Sequence, residues 1–333
     1  MRSKDQPGGR IVNVAIEISN LHKKYGHHTA IHDLDLRVTA GTVFGLIGPN
    51  GAGKTTTLRM LLDIIRPTSG TARVLGQDPR TAGATLRRRI GYVPGDLRLE
   101  NRVTGHRLLS FYAEVSGAVT PETIRNLADR LGVDLSRAVR TLSKGNKQKL
   151  GLIQAFMHTP ELLILDEPTS GLDPLVQREL LRMVREAKQA GQTVLLSSHM
   201  LSEIQQAADQ VAVLSDGHVV AEGNVASLRL GSIRRVRARL ATTDADEVRA
   251  RFAGAGGSNA LGIVSGANGV QVSGTVEGAI DPIVKTLAQF DVCELTVEEP
   301  DLEESVLRLY GPPTDATRRS RSAGRYADRG RHE

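Results

Sequence analysis

The apolar positions of this chain change period several times, and each change marks an element. Residues 14–21 and 31–38 alternate, the second run with Ile31, Leu34, Leu36 and Val38, and predict two strands. Residues 43–47 form a short apolar run that reads as a buried strand. Residues 162–165 are continuously apolar, the pattern of a central parallel strand covered on both faces. Shorter strands are predicted at 71–75, 90–93, 193–197, 211–215 and 218–222. Helical spacing follows residue 53, with Leu58, Leu61, Leu62 and Ile65 on one face, until the turn Arg66-Pro67-Thr68-Ser69-Gly70. It returns at Leu108, Leu109, Tyr112 and Val115, at Ile124, Leu127 and Leu131, and at Leu150, Ile153 and Phe156. Two more helices are predicted at 174–190 and up to about Ala208. Strands alternating with helices predict a parallel α/β core.

After about residue 228 the pattern changes. A strand at 234–240, a helix at 244–252 and a hairpin at 263–264 and 270–272 are followed by a helical face of Ile280, Ile283, Val284, Leu287 and Phe290. A strand at 295–297 ends the series. This β-α-β-β-α-β order predicts a small split βαβ domain. Residues 299–310 read as a closing helix with Leu302, Val306 and Leu309 on one side. The predicted organisation is a disordered N-terminus (1–13), a first domain (14–228) holding a helical subdomain at about 96–160, an α+β accessory domain (229–310) and a disordered basic tail (311–333). No internal repeat interrupts it.

Composition narrows the picture. A length of 333 residues fits two domains, and 40% hydrophobic residues suffice for a core. With aromatics at 3% and no Trp, that core has to be aliphatic. Cys293 is the single cysteine, which excludes an intrachain disulfide and a cysteine-rich metal site. No run reaches the ~18 apolar residues of a membrane span, and the opening MRSKDQPGGR lacks the apolar stretch of a signal peptide. A soluble chain is expected. The formal charge of +6 sits at the ends: residues 1–10 carry net +2 and residues 311–333 net +3. The body offers no basic groove for nucleic acid. The Arg-rich tail reads as solvated, with anionic lipid or RNA as its alternatives. His22, His27, His28 and His32 lie close in sequence and read as histidines of an exposed loop rather than as a metal site.

The chemistry is concentrated between a strand and a helix. Gly48, Pro49, Asn50, Gly51, Ala52, Gly53, Lys54, Thr55 and Thr56 follow the apolar run at 43–47 and precede the first helix. Strand, glycine-rich loop and helix is the context of a phosphate-binding loop. The glycines let backbone N–H groups surround phosphate oxygens, and the helix N-terminus adds positive potential. Lys54 reaches the β- and γ-phosphates and Thr55 places its hydroxyl on Mg²⁺. The bland alternative is a glycine turn before a helix. Asp166 and Glu167 end the buried strand at 162–165. Alone they read as carboxylates starting a loop. With a phosphate loop in the same domain, Asp166 shares the Mg²⁺ with Thr55 and Glu167 polarises the attacking water.

Five further stretches resemble the motifs of ABC transporter ATPases, in order and rough spacing over about residues 14–226. Tyr25 resembles the aromatic residue that stacks on adenine. Leu142-Ser143-Lys144-Gly145-Asn146 resembles the LSGGQ signature, and Leu163-Ile164-Leu165-Asp166-Glu167-Pro168 the Walker B strand with its glutamate. Ser170-Gly171-Leu172-Asp173 resembles the D-loop and Ser197-Ser198-His199 the switch histidine. The resemblance implies an α/β P-loop NTPase fold of the ABC ATPase type with a helical subdomain, joined here to a small α+β C-terminal domain. It implies a homodimer packed head to tail around two ATP molecules with Mg²⁺. Each ATP would sit on Lys54 and Thr55 of one chain and meet Ser143, Lys144, Gly145 and Asp173 of the other. Glu167 would be the base and His199 would contact the γ-phosphate. A surface tyrosine and a helix-start histidine are the plain alternatives for Tyr25 and His199.

Two positions depart from the family pattern. Gly95 stands where Gln normally follows Tyr92-Val93-Pro94, and Lys144 and Asn146 alter the signature. Asp96 or an extra water can replace what the Gln supplies. Some exporter subfamilies also have Gly here, so the departure does not mark inactivity. The stretch from Glu298 to Tyr310 resembles, more loosely, the end of drug- and antibiotic-exporter ATPases. The resulting expectation is the ATPase subunit of an exporter for drug, antibiotic or lipid-like cargo. It would work with separately encoded transmembrane permease subunits at the cytoplasmic face of the cell membrane, without nucleic acid. The alternatives are a non-transport ABC ATPase acting on ribosomes or nucleic acid, and a regulator that binds ATP without turnover.

Overall fold

The computed structural model describes residues 13–99, 102–117, 119–225, 233–253, 261–266 and 268–298. Of the predicted disordered N-terminus (1–13) all but residue 13 lies outside them, as do the predicted closing helix at 299–310 and the basic tail at 311–333. The chain divides into two compact units, residues 1–225 and 226–333.

The first unit holds two sheets. β1 (Val14–Tyr25), β2 (His28–Thr39) and β4 (Ser69–Val74) form an antiparallel sheet in the order β2-β1-β4. Six strands form the other: β3 (Val43–Ile47), β5 (Ile90–Val93), β6 (Leu162–Asp166), β7 (Thr193–Ser198), β8 (Gln210–Ser215) and β9 (His218–Asn224). Their order is β5-β6-β7-β3-β8-β9, parallel except where β9 returns as a hairpin on β8. Every residue of β3, β6 and β7 is buried, as continuous apolar strands with cover on both faces require. The main core cluster is aliphatic apart from Phe44 and the partly buried Tyr92.

Helix starts follow local capping chemistry. α1 (Lys54–Leu61) leaves β3 through Gly53, whose φ of 103° needs a glycine. α2 (Pro79–Arg87) is capped by Asp78, which accepts from Arg80 N. α3 (Gly105–Ser116) and α4 (Pro121–Leu131) start on Thr104 and Thr120, and α5 (Lys144–Phe156) on Ser143. α6 (Pro174–Gln189) is capped by Asp173, and the short α7 (Leu201–Ala207) follows β7.

Several sequence expectations are corrected. α1 stops at Leu61 instead of continuing to Ile65, because Asp63 turns left-handed (φ 54°) and Ile64 N and Ile65 N fold back to Arg59 O. α2 was not expected; Asp78-Pro79, a cap followed by a first-turn proline, was its signal. On α3, Leu108, Leu109 and Ala113 are buried while Val115 is 51% exposed. β1 runs on to Tyr25, so Lys23 and Lys24 belong to a strand. His22 and His32 also lie in strands, and His32 stacks on His218 with ring centroids 4.4 Å apart.

The second unit comprises β10 (Ile233–Leu240), α8 (Ala245–Ala253), β11 (Leu261–Gly266), β12 (Gly269–Glu277), α9 (Asp281–Leu287) and β13 (Val292–Glu298). The sheet order is β11-β12-β10-β13, all antiparallel. Val236, Ala238 and Leu240 alternate inward and meet Val248 and Phe252 of α8 and Ile283 and Leu287 of α9. Val284 is excluded from this face, being 39% exposed.

Candidate functional site

β3 and β7 are parallel neighbours, and β6 pairs the other edge of β7. Their C-terminal ends therefore converge, and the residues that follow them build the site. This is where a doubly covered α/β sheet places ligand chemistry. A cleft of about 300 Å³ opens there, lined by Tyr25, His28, Ala30, Asn50, Gly51, Gly53, Lys54, Thr55, Thr56 and Glu167. Asn50, Gly51, Gly53, Lys54, Thr55 and Thr56 of the predicted phosphate loop thus line one cavity with Tyr25 and Glu167.

Gly48, Pro49 and Ala52 belong to the same loop but are not among the residues that line the cleft. A Cβ on Gly48 would lie 2.3 Å from Leu214 O, so the loop can leave β3 at this angle only with glycine. A Cβ on Gly53 would lie 2.4 Å from Ile31 Cδ1. Lys54, 4% exposed, donates from Nζ to Gly48 O at 2.7 Å and Pro49 O at 3.1 Å. The same Nζ is 3.3 Å from Glu167 Oε1. Thr55 Oγ1 donates to Asp166 Oδ2 at 2.8 Å, which brings together the two residues predicted to share a metal.

Glu167 is the first residue beyond β6. Its φ of 45° is left-handed, a conformation that costs a non-glycine residue about 1–2 kcal/mol. Residues held in such strain cluster at functional sites. His199 Nδ1 stands 3.3 Å from Glu167 Oε2, so one carboxylate faces a lysine on one oxygen and a histidine on the other. Asp166 is fully buried; Ser197 Oγ donates to its Oδ1 at 2.6 Å. On β5, burial pushes the Tyr92 hydroxyl above its ordinary value and the charge of Asp166 adds to this, so Tyr92 stays neutral beside the acid.

Tyr25 is 46% exposed at the end of β1, with Lys23 Nζ 4.8 Å from its ring centroid. His28, its register partner across the hairpin, lines the same cleft. The sequence places His28 in an exposed loop; it is instead the first residue of β2, and the strand register brings it here.

The signature residues lie elsewhere. Ser143 accepts from Asn146 N as the cap of α5, and Ser143 and Lys144 are exposed. Asp173 accepts from Leu175 N and Val176 N at 3.1 Å each. A Cβ on Gly145 would lie 2.6 Å from Gly171 O, so the signature and the D-loop-like turn pack on one another. The buried Gln148 adds a bond from Nε2 to Pro168 O at 3.2 Å, a tie not foreseen from sequence. Ser143, Lys144, Gly145 and Asp173 are absent from the lining of the cleft. A Cβ at Gly95 would sit 3.2 Å from Asp166 Oδ2, so residue 95 adjoins the acid. Asp96 pairs instead with Arg98 at 3.1 Å and does not line the cleft.

Comparison with known proteins adds to this geometry. The ABC transporter family profile matches residues 31–170. The chain is 40% identical over 240 residues to the daunorubicin/doxorubicin resistance ATP-binding protein DrrA of Streptomyces peucetius, covering 70% of this chain and 73% of that one. It is 37% identical over 221 residues to the bacitracin transport ATP-binding protein BcrA of Enterococcus faecalis, covering 66% and 72%. A solved ATP-binding subunit of an ABC transporter superposes with a TM-score of 0.59 at 30% identity, over 72% of this chain and 93% of that one.

Proposed function

The chain belongs to the ABC transporter family, and from that premise we propose that it is the ATP-binding and ATP-hydrolysing subunit that powers an exporter. The observation that carries this reading is Glu167, held between Lys54 and His199 at 3.3 Å from each, on the wall of a cleft lined by the phosphate loop.

The phosphates of ATP lie against the backbone of residues 50–56, where the N-terminus of α1 favours anions. Lys54 binds the β- and γ-phosphate oxygens, and Tyr25 carries the adenine on its ring. Thr55 and Asp166 fit Mg²⁺, because a hydroxyl and a buried carboxylate converge as hard oxygen donors. When bound, the ion neutralises phosphate charge. Glu167 takes a proton from the attacking water as the water oxygen bonds the γ-phosphorus and the bond to ADP breaks. His199 contacts the γ-phosphate and fixes the second oxygen of Glu167.

Ser143, Lys144, Gly145 and Asp173 serve the ATP of a second copy, and their absence from the cleft of their own chain supports that assignment. The motor is a homodimer on separately encoded transmembrane permease subunits, at the cytoplasmic face of the membrane. Among the described residues no helix is long and apolar enough to cross a membrane. Relatives named for daunorubicin/doxorubicin resistance and bacitracin transport support a drug, antibiotic or lipid-like cargo. Their names speak for transport over action on ribosomes or nucleic acid.

The test begins with hydrolysis by the purified chain and its Glu167→Gln variant. Turnover that disappears in the variant supports the base assignment and excludes a non-hydrolysing regulator; equal turnover in both overturns it. The variant is then captured with ATP from gently solubilised native membranes. Recovery of a polypeptide with several membrane-spanning helices supports the exporter reading. Recovery of ribosomes or nucleic acid alone contradicts it.

A further inference from the structure

Ser197 lies near the end of a buried strand, and its hydroxyl both donates and accepts. A serine hydroxyl offers one donor and two acceptor positions. Ser197 Oγ donates to Asp166 Oδ1 at 2.6 Å and accepts from Glu167 N at 3.0 Å. Glu167 N also reaches the Ser197 carbonyl oxygen at 3.2 Å, as the parallel pairing of Asp166 with Ser197 dictates. Asp166 and Ser197 are both fully buried, so no solvent can replace these bonds.

The two bonds act on different parts of the site. The first fixes one carboxylate oxygen of Asp166 and leaves Oδ2 to Thr55. The second holds the peptide N–H of Glu167 where its backbone enters the left-handed region. The direction in which Glu167 leaves β6, and so the place of its carboxylate between Lys54 and His199, depends on that hold. The neighbouring Ser198 cannot do this, because its hydroxyl donates to Glu203 Oε2 at 2.7 Å and accepts from Met200 N at 2.9 Å.

We propose that Ser197 is a positioning residue for ATP hydrolysis, orienting the Asp166 carboxylate and the Glu167 backbone through one hydroxyl. The proposal rests on the ATPase reading given above. Without that hydroxyl, Asp166 Oδ1 stays buried without its donor and Glu167 keeps only the longer carbonyl bond. Displacing a reacting group by an ångström costs about a hundredfold in rate.

The test uses the full chain with Ser197→Ala, Ser197→Thr and Ser197→Cys, read by steady-state and single-turnover MgATP hydrolysis. Ser197→Ala is expected to lower kcat by about tenfold to a hundredfold while KM for ATP stays within about threefold. Ser197→Thr keeps the hydroxyl and is expected to restore most of the rate. If Ser197→Ala does not fold, Ser197→Cys, similar in size with a weak donor, is compared with Ser197→Thr and should be the slower. A rate for Ser197→Ala within about threefold of the parent overturns the proposal. Equal losses in the Ala and Thr variants also overturn it, since they would report packing alone. Glu167→Gln, run in parallel, separates the two levels. An inactive Glu167→Gln beside a fully active Ser197→Ala removes only the role of Ser197. Equal hydrolysis by Glu167→Gln and the parent removes the underlying reading as well.

Discussion

Lys54 Nζ lies 3.3 Å from Glu167 Oε1, so the cation of the phosphate loop and the carboxylate at the end of β6 form an ion pair. Lys54 is nearly buried, and its remaining donors go to Gly48 O and Pro49 O. Charge-assisted hydrogen bonds contribute about 1.5–3 kcal/mol each. Lys54→Ala should therefore weaken ATP binding by about tenfold to a hundredfold, measured by nucleotide titration. Unchanged affinity would show that Lys54 serves Glu167 rather than phosphate.

Tyr25 should contribute through its ring and not its hydroxyl. Base stacking on an aromatic ring is worth ~1–3 kcal/mol by alanine substitution. Tyr25→Ala is expected to raise KM for ATP by about fivefold to a hundredfold, with Tyr25→Phe close to the parent. A Phe variant as impaired as Ala would point to the hydroxyl instead.

Gly95 leaves little room beside Asp166: an added Cβ lies 3.2 Å from Oδ2 and 3.4 Å from Cγ. Gly95→Ala should press on this carboxylate, cost about 1–3 kcal/mol of stability and lower kcat. Thermal melting and hydrolysis measured together test this. A variant as stable and active as the parent would mean that the segment shifts without moving Asp166.

Glu203 is 7% exposed and fastens Ser198, the residue before His199, through the 2.7 Å bond to Oε2. Glu203→Ala leaves that buried hydroxyl without its acceptor, at a cost of about 1–3 kcal/mol. The expected result is a melting temperature lower by several degrees and a slower kcat, because His199 loses its anchor. Calorimetry with parallel kinetics would show it; lost stability with unchanged kcat would restrict Glu203 to folding.

His158 gives the fold a pH dependence of known sign. Burial pushes its imidazole below the ordinary value, outweighing the opposing backbone bonds of Ile90 and Gln154, and its Nδ1 has no hydrogen-bond partner. The unfolded chain takes up this proton near pH ~6.5, before the folded chain does. Its contribution to stability is present above about pH 6.5 and is lost as pH falls through the lower folded value. His158→Gln should show a smaller fall in melting temperature than the parent between about pH 7.5 and pH 5.5. Parallel falls would assign the acid sensitivity to other groups.

Much of this site could be read in order along the chain because its chemistry is locally encoded. Gly51 and Gly53 answer positive-φ demands inside a single loop, and Ser143, Asp173 and Thr104 announce helix starts within a few residues. The apolar runs of β3 and β6 carry their burial in composition. Where local rules competed, the sequence misled. The apolar face of α1 runs on to Ile65 although the helix stops at Leu61, and Val115 has helical spacing although α3 leaves it exposed.

The sequence by itself determined the strand, glycine-rich loop and helix around residues 48–56, the acidic end of β6 and the alternation of strands and helices, and it marked His199 as a candidate. Periodicity, turn chemistry and residue type act over short stretches of chain. Only the tertiary structure decided which of these groups meet. Inserting β7 between β3 and β6 brings Thr55 to Asp166 and Lys54 to Glu167. The register of β6 on β7 gives both acids to Ser197, and the hairpin of β1 and β2 sets His28 beside Tyr25. Strand order and register are settled by packing between distant segments, and no local stretch of sequence carries that information.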